Sequence, residues 1–261
     1  MGVLNVTPDS FSDGGRFLDA EAAVAHGLVL EAEGADILDV GGESTRPGAE
    51  AVAAEEQIRR VMPAIEGLTA RGARAQISID TTRLVVAEAA VAAGATYVND
   101  VTAFRQEPEL AGLVAERGLD CCLMHMRGEP RSMQADPVYD DVVADVKAFL
   151  EERLAAAVAA GIAEERIMLD PGIGFGKTVE HNLELLRRLD ELVALGRPLV
   201  IGTSRKTFLG RITGRATGDR LAGTIATNVL AFERGASVFR VHDVGPVADA
   251  LAVTAATVRG R

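Results

Sequence analysis

The amino-acid sequence predicts an α/β protein folded as a single-domain (β/α)8 TIM barrel, on three observations. Short apolar runs alternate with longer amphipathic ones along all 261 residues, the alternation repeats eight times, and polar residues gather at the C-terminal end of the apolar runs. The runs are GVLNV (2–6), DILDV (36–40), QISID (76–80), TYVND (96–100), DCCLMH (120–125), RIMLD (166–170), PLVIGT (198–203) and SVFRV (237–241). Segments so short and so continuously apolar suit strands buried on both faces of a parallel sheet. The stretches between them, AEAAVAHGLVLEAEG and VEHNLELLRRLDELVALG for example, carry apolar residues at helical spacing. Gly34, Gly94, Gly118, Gly161 and Gly196 fall near the predicted helix ends, where a left-handed cap is wanted. Eight such units in ~250 residues fit a closed barrel better than a doubly wound sheet of about five or six strands. The longest irregular stretch, residues 127–141, reads as one more strand-to-helix connection, so residues 1–261 are expected to form one domain.

Composition narrows the function. The chain has 27 basic against 38 acidic residues, a net charge of −11. General binding to nucleic acid or to an anionic membrane needs a basic field, so neither partner is expected. Any anion site must be local. Lysine is limited to Lys147, Lys177 and Lys206, leaving arginine as the usual cation, which suits flat two-point contacts. The only cysteines, Cys121 and Cys122, are adjacent and form no disulfide framework, which fits a reducing cytoplasm. No secretory signal is visible, and no uncharged apolar stretch approaches the ~18 residues of a membrane span.

The strand ends hold the chemistry: Asn5, Asp39, Asp80, Asn99, Asp100, His125, Asp170, then SRK at 204–206 and RVHD at 240–243. Asn and Asp also terminate strands for purely local reasons. A whole ring of such ends, with basic groups on the last two, points instead to one shared polar site on the face where barrel active sites form. His26 and His181 fall in helical stretches and read as structural or surface residues.

GVLNVTPDSFSDGG, VGGESTRPGA, SIDT, VNDV, LMHM, LDPGIGFGKT, IGTSRKTFLG and RVHDV occur in that order over essentially the whole chain. As a set they resemble the dihydropteroate synthase family, although the chain opens at the first strand, without the residues that commonly precede it there. The resemblance implies a transferase that joins 6-hydroxymethyl-7,8-dihydropterin diphosphate to 4-aminobenzoate, releasing diphosphate and 7,8-dihydropteroate. It also implies Mg2+ as cofactor, small-molecule substrates as partners, a homodimer, and competition by sulfonamides for the aminobenzoate pocket.

By the same resemblance Asp80, Asn99 and Asp170 line the pterin slot, Lys206 donates to the pterin's acceptors, and Arg240 lays its guanidinium over the ring. Met124 and Val101 supply apolar wall, though core packing explains Met124 equally well. Thr45, Arg46, Arg240 and His242 hold the diphosphate, and Asn5 offers Mg2+ its side-chain oxygen. Phe11, Pro47, Phe175, Arg205 and Thr207, with Ser204, surround the aminobenzoate. Lys206, Arg240 and Asp80 are the expected catalytic residues. NVTPDSFSDGG is expected to fold over the site as a lid, with STRPGA as its partner. A Schiff base on Lys206 is a competing chemistry, but Ser204 and Arg205 beside it suit an anionic ligand better. The rival functions are a methyltetrahydrofolate-binding methyltransferase and a catalytically silent pterin binder.

Overall fold

The computed structural model of the chain describes residues 1–6, 16–44, 51–128, 133–134 and 137–259. Among the described residues eight strands follow one another in chain order: β1 Gly2–Asn5, β2 Ile37–Gly41, β3 Gln76–Asp80, β4 Tyr97–Asp100, β5 Asp120–Met124, β6 Ile167–Asp170, β7 Val200–Ile201 and β8 Val238–Phe239. The first six form one parallel sheet, each strand paired with the next, in registers such as Val40↔Ile79, Asp80↔Asn99 and Met124↔Asp170. β7 and β8 pair separately, also in parallel.

Two narrow joints connect these parts. A bridge between Leu169 and Leu199, with the Leu169 N–H donating to the Pro198 carbonyl at 3.0 Å, ties β6 to the approach of β7. A second bridge joins Gly2 to Val241, where the Val3 N–H donates to the Val241 carbonyl and the Val241 N–H to that of Met1, each at 2.9 Å. Backbone hydrogen bonds therefore run from β1 to β8 and back to β1. The expected runs 198–203 and 237–241 shrink to two residues each. Pro198 has no N–H to give a ladder, and beyond Ile201 the chain leaves the sheet at Gly202.

The connections are helical: α1 Arg16–Ala32, α2 Ala54–Ala70, α3 Leu84–Ala92, α4 Glu109–Arg117, α5 Val142–Ala159, α6 Val179–Arg187, α7 Asp190–Val193, α8 Thr207–Thr213, α9 Leu221–Glu233 and α10 Val244–Arg259. Two units hold a pair of helices where sequence periodicity suggests one. The seventh is divided by Gly214, whose left-handed backbone (φ 72°) ends α8. Gly118 closes α4 in the same conformation, as its position predicts. In α2, Val61, Ala64, Ile65 and Leu68 form the buried stripe, at three- and four-residue spacing.

Strand alternation sorts the side chains. Leu38, Val40, Ile79, Val98, Cys121, Leu123, Ile167 and Leu169 face the helices in the main core. Ile37, Tyr97, Cys122 and Val200 meet inside the barrel and plug its lower half. Above this plug the next inward positions are mostly polar, with Met124 and Gly202 as exceptions. The two cysteines thus belong to different cores, so their adjacency is no route to a disulfide. No helix among the described residues is long and apolar enough to cross a membrane.

Burial pushes the Cys121 thiol up to about 12 and that of Cys122 well above its ordinary value. Neither thiol is expected to react with an aromatic disulfide reagent at pH 8 in the folded protein, and both should react after unfolding in guanidinium. Rapid labelling of the native chain would contradict this packing.

Candidate active site

The polar layer opens into a cavity of about 760 Å³ at the C-terminal ends of the strands. All the strands or strand exits but β2 contribute to its wall: Asn5, Asp80, Asn99, Met124, Asp170, Gly202 and Arg240 come from inward-facing positions, joined by residues of the loops above. Asp39, one layer below, does not line the cavity but organises it.

Arg240, just past β8, donates through Nε to Asp39 Oδ2 at 2.6 Å and through Nη2 to Asp80 Oδ2 at 2.8 Å. The same Asp39 oxygen accepts from Asn99 Nδ2 at 3.0 Å, and its other oxygen from Ser78 Oγ at 2.6 Å. Asp39 is fully buried and Asp80 nearly so. Burial alone would penalise these charges heavily, and the pairing with a two-point guanidinium is what makes them tenable. Burial works against the Arg240 charge as well, but Asp39 and Asp80 overcome it and hold its pKa above the ordinary arginine value. For Asp80 the balance is reversed: burial raises its pKa to about 7 despite the arginine.

Asp170, at the end of β6, accepts the Gly172 N–H at 2.6 Å. Burial raises its pKa, opposed by that hydrogen bond and by the charge of Lys206. Next to it Val101, Met124 and Phe175 form a small apolar cluster with Met126 and Met133, separate from both cores. Lys206 Nζ lies 4.0 Å from the centre of the Phe175 ring, close enough for a cation–π contact. Its charge therefore stands between an aromatic face and a buried carboxyl group.

The SRK turn is held in an uncommon conformation. Arg205 has φ of 57°, in the left-handed region that side-chain-bearing residues usually avoid. Its N–H donates to Thr224 Oγ1, and Arg220 Nη1 donates to the carbonyls of Arg205 and Lys206 at 2.9 and 3.3 Å. The Arg205 guanidinium turns to Asp243, which it meets through Nε at 3.0 Å and through Nη2. Ser204 Oγ accepts the His242 N–H at 3.1 Å and lies 3.0 Å from His242 Nδ1, linking the β7 and β8 exits. Thr207 begins α8 and is exposed, but that helix has only seven residues.

The cavity thus brings together Asn5, Asp80, Asn99, Val101, Met124, Asp170, Phe175, Ser204, Arg205, Lys206, Thr207, Arg240 and His242. Phe11, Thr45, Arg46 and Pro47, together with most of the suggested lid and its partner, lie outside the described residues. Asp100 and His125 face elsewhere. Asp100 accepts from the Thr102 N–H and hydroxyl and from the Phe104 N–H, supporting the left-handed pair Ala103 and Phe104. His181 completes a capping box with Thr178 at the start of α6, a structural task as its helical context suggests.

Arg220 and Lys177 escape sequence reasoning as residues of consequence, and Asp39 is seen there without its role. Asp39 is visible as a polar strand end, but only the fold reveals that it meets a residue 201 positions away. Arg220 sits in an unremarkable GDRLAG stretch. Lys177 is one of three lysines in a mainly arginine-based chain, and that rarity was the available signal.

The chain belongs to the pterin-binding enzyme family, whose model matches residues 1–242. Within that family its relatives are dihydropteroate synthases. The enzyme of Escherichia coli K12 is 44% identical over 261 residues, covering 100% of this chain and 92% of the relative. The Xanthomonas albilineans dihydropteroate synthase with 4-aminobenzoic acid superimposes with a TM-score of 0.93 at 51% identity, over 99% of this chain and 92% of the other. The same bacterium's enzyme in complex with 7,8-dihydropteroate gives 0.89 at 49% identity over the same shares.

The Asp39–Arg240–Asp80 network generates a stability prediction. Asp39→Ala strands the guanidinium with one carboxylate and is expected to lower the unfolding free energy by ~3–5 kcal/mol in urea titrations. Asp39→Asn, which keeps the shape and some hydrogen bonding, should cost less, about 1–3 kcal/mol. Equal and small losses for both would show that Arg240 is held by something else.

Proposed function

We infer that the chain condenses 6-hydroxymethyl-7,8-dihydropterin diphosphate with 4-aminobenzoate, giving 7,8-dihydropteroate and diphosphate. The carrying observation is the single cavity in which buried Asp80, Asn99 and Asp170 face Lys206 and Arg240. A bicyclic ring with adjacent N–H donors and a carbonyl needs that chemistry: carboxylates to accept, a carboxamide to do both, and an ammonium to donate. In this reading Asp170, Asn99 and Asp80 take the pterin edge, Lys206 donates to its acceptors, and Arg240 covers one ring face. Val101 and Met124 form the dry wall that strengthens those hydrogen bonds.

The diphosphate is assigned to Arg240 and His242, with Thr45 and Arg46, near the loops after β7 and β8 where phosphates commonly bind in this fold. The aminobenzoate lies against Phe175 and Ser204, with Arg205 and Thr207 beside them, and resemblance to the family adds Phe11 and Pro47 to its contacts. Because Asp243 already neutralises Arg205, that arginine serves more as a fixed hydrogen-bonding wall than as a free cation.

Mg2+ belongs to this reading as well. Among the described residues no group of three or more His, Cys, Asp or Glu gathers to hold a metal. Asn5 Oδ1 and Asp80 Oδ2 flank Gly41, each 3.6 Å from where a Cβ would stand there. One carboxamide oxygen with a carboxylate nearby would suit a hard cation that depends little on protein ligands, with Asn5 as the residue to hold it. When bound, it would supply charge to stabilise the leaving group.

The reaction then runs as a dissociative displacement. The bond between the methylene carbon and the diphosphate oxygen breaks, its electron pair leaves with the diphosphate, and the electron-rich pterin carries the developing positive charge. The amine lone pair forms the new C–N bond, and the surplus proton passes to water. An arylamine is already neutral at pH 7, so no strong base is needed. The buried walls keep water from the cation. The residues are proposed to act in one barrel domain spanning the chain, as a cytoplasmic homodimer, by resemblance to the family.

Mixing the purified chain with both substrates and Mg2+ should release diphosphate and form dihydropteroate. Binding of the pterin compound with no diphosphate release would leave a silent pterin binder. Methyl transfer from methyltetrahydrofolate would mark the methyltransferase. Lys206→Ala is expected to lower kcat/KM by ~10²–10³-fold, the loss usual for a donor aimed at transition-state charge. Diphosphate release without the amine should be slow but measurable, whereas strict dependence on the amine would favour a concerted route.

A further inference from the structure

Lys177 has no place in the reaction just described, although it is almost fully buried beside the cavity. Its Nζ donates to the carbonyls of Gly172 and Phe175, each at 3.0 Å, and meets His125 Nδ1 at 2.9 Å. Two of these partners belong to the loop after β6, and the third to the exit of β5. A flexible side chain thus spans one loop from within and clamps it to the neighbouring strand. The glycine contacts show how close that clamp is. A Cβ on Gly172 would overlap the His125 carbonyl, and one on Gly176 the Arg127 carbonyl.

The loop has no ladder to hold it, so its backbone groups depend on side chains. Gln134 donates to the Gly174 carbonyl at 2.6 Å and Tyr139 to the Gly176 carbonyl at 2.7 Å, and the Gly174 N–H donates to Asn182 Oδ1 at 2.7 Å. Among the described side chains Lys177 alone reaches two of its carbonyls, including that of Phe175. The Phe175 ring in turn carries the Lys206 ammonium on its face.

The geometry points to Lys177 as a positioning residue that fixes the Phe175 ring, and through it Lys206, for the aminobenzoate side of the cavity. This rests on the function proposed above. Asp170, by contrast, has its backbone fixed by the sheet: it pairs with Met124 in the strand register, and its carbonyl accepts the His125 N–H at 2.9 Å, so that only the Gly172 N–H on its carboxylate belongs to the clamped loop. Loss of Lys177 should therefore loosen the Phe175 wall far more than the strand-anchored Asp170. Burial pushes His125 down to about 2, so the ring is neutral, and with its proton on Nε2 its Nδ1 accepts from Lys177, whose own pKa burial lowers to about 7.

The test is steady-state kinetics of dihydropteroate formation on wild type, Lys177→Met, Phe175→Leu and the double variant. Phe175→Leu removes the ring while leaving the carbonyl that Lys177 holds. Lys177→Met is expected to raise the KM for 4-aminobenzoate about 10-fold or more, with the pterin diphosphate KM within about twofold of wild type. In the Phe175→Leu background the same change should add little, because the wall it steadies is already lost. Fully additive effects, an equal rise in both KM values, or a fall in kcat alone would overturn the inference. A lowered melting temperature with unaltered KM values would reduce Lys177 to a structural residue and overturn it too. Should Lys177→Met not fold, Lys177→Gln, which keeps a shorter donor, carries the same comparison. An inactive wild type would instead count against the proposed function, leaving the two failures distinguishable.

Discussion

Pairing one partly buried guanidinium with two buried carboxylates at the centre of a barrel is the constraint around which the rest is arranged. Arg240 comes from the last stave, Asp39 and Asp80 from the second and third, so the contact joins parts of the chain far apart in sequence. None of the three charges could be buried alone. Their mutual satisfaction sets where the apolar plug stops and the polar layer begins. It also leaves a cavity floor whose groups are already oriented before any ligand arrives, which is how a binding site gains from rigidity.

The walls above that floor are held in a different manner. Where the floor uses strand register, the loop after β6 alternates glycines with side-chain-bearing residues, with Gly172, Gly174 and Gly176 all at positive φ. Such a backbone turns its carbonyls toward side chains, and Lys177, Gln134 and Tyr139 receive them. The SRK turn follows the same logic with Arg220 and Thr224 as its braces. Irregular backbone beside a reactive site persists when its surroundings over-determine it.

Much of this was legible in the sequence, for reasons that can be named. The eight apolar runs and their helical separators are local patterns, and the strands they predict lie within a residue or two of β1 to β6. The shortening of β7 and β8 was hidden because Leu199 and Val241 look like strand residues and their weak pairing is a matter of closure geometry. The polar strand ends were equally visible, but alternation divides them: Asn99 turns into the cavity while Asp100 turns away to hold its own turn. Sequence could not show that Arg205 would spend its charge on Asp243, nor that Lys177 would reach back to His125, since both contacts depend on two loops meeting in space. Family resemblance supplied candidate roles that no local pattern could have reached.

The unequal joints of the barrel carry a final implication. Six staves share continuous ladders, whereas the seventh and eighth attach to their neighbours by one bridge at each side. The quarter bearing Ser204, Arg205, Lys206, Arg240 and His242 is thus the part with fewest backbone ties, and its fluctuations need not disturb the remaining three quarters. The molecule resembles a vise, with a fixed jaw built from β3 to β6 and a lighter jaw that can give slightly. Slow local opening is then expected to begin on the lighter side, and amide exchange along the chain should be most uneven where those jaws meet.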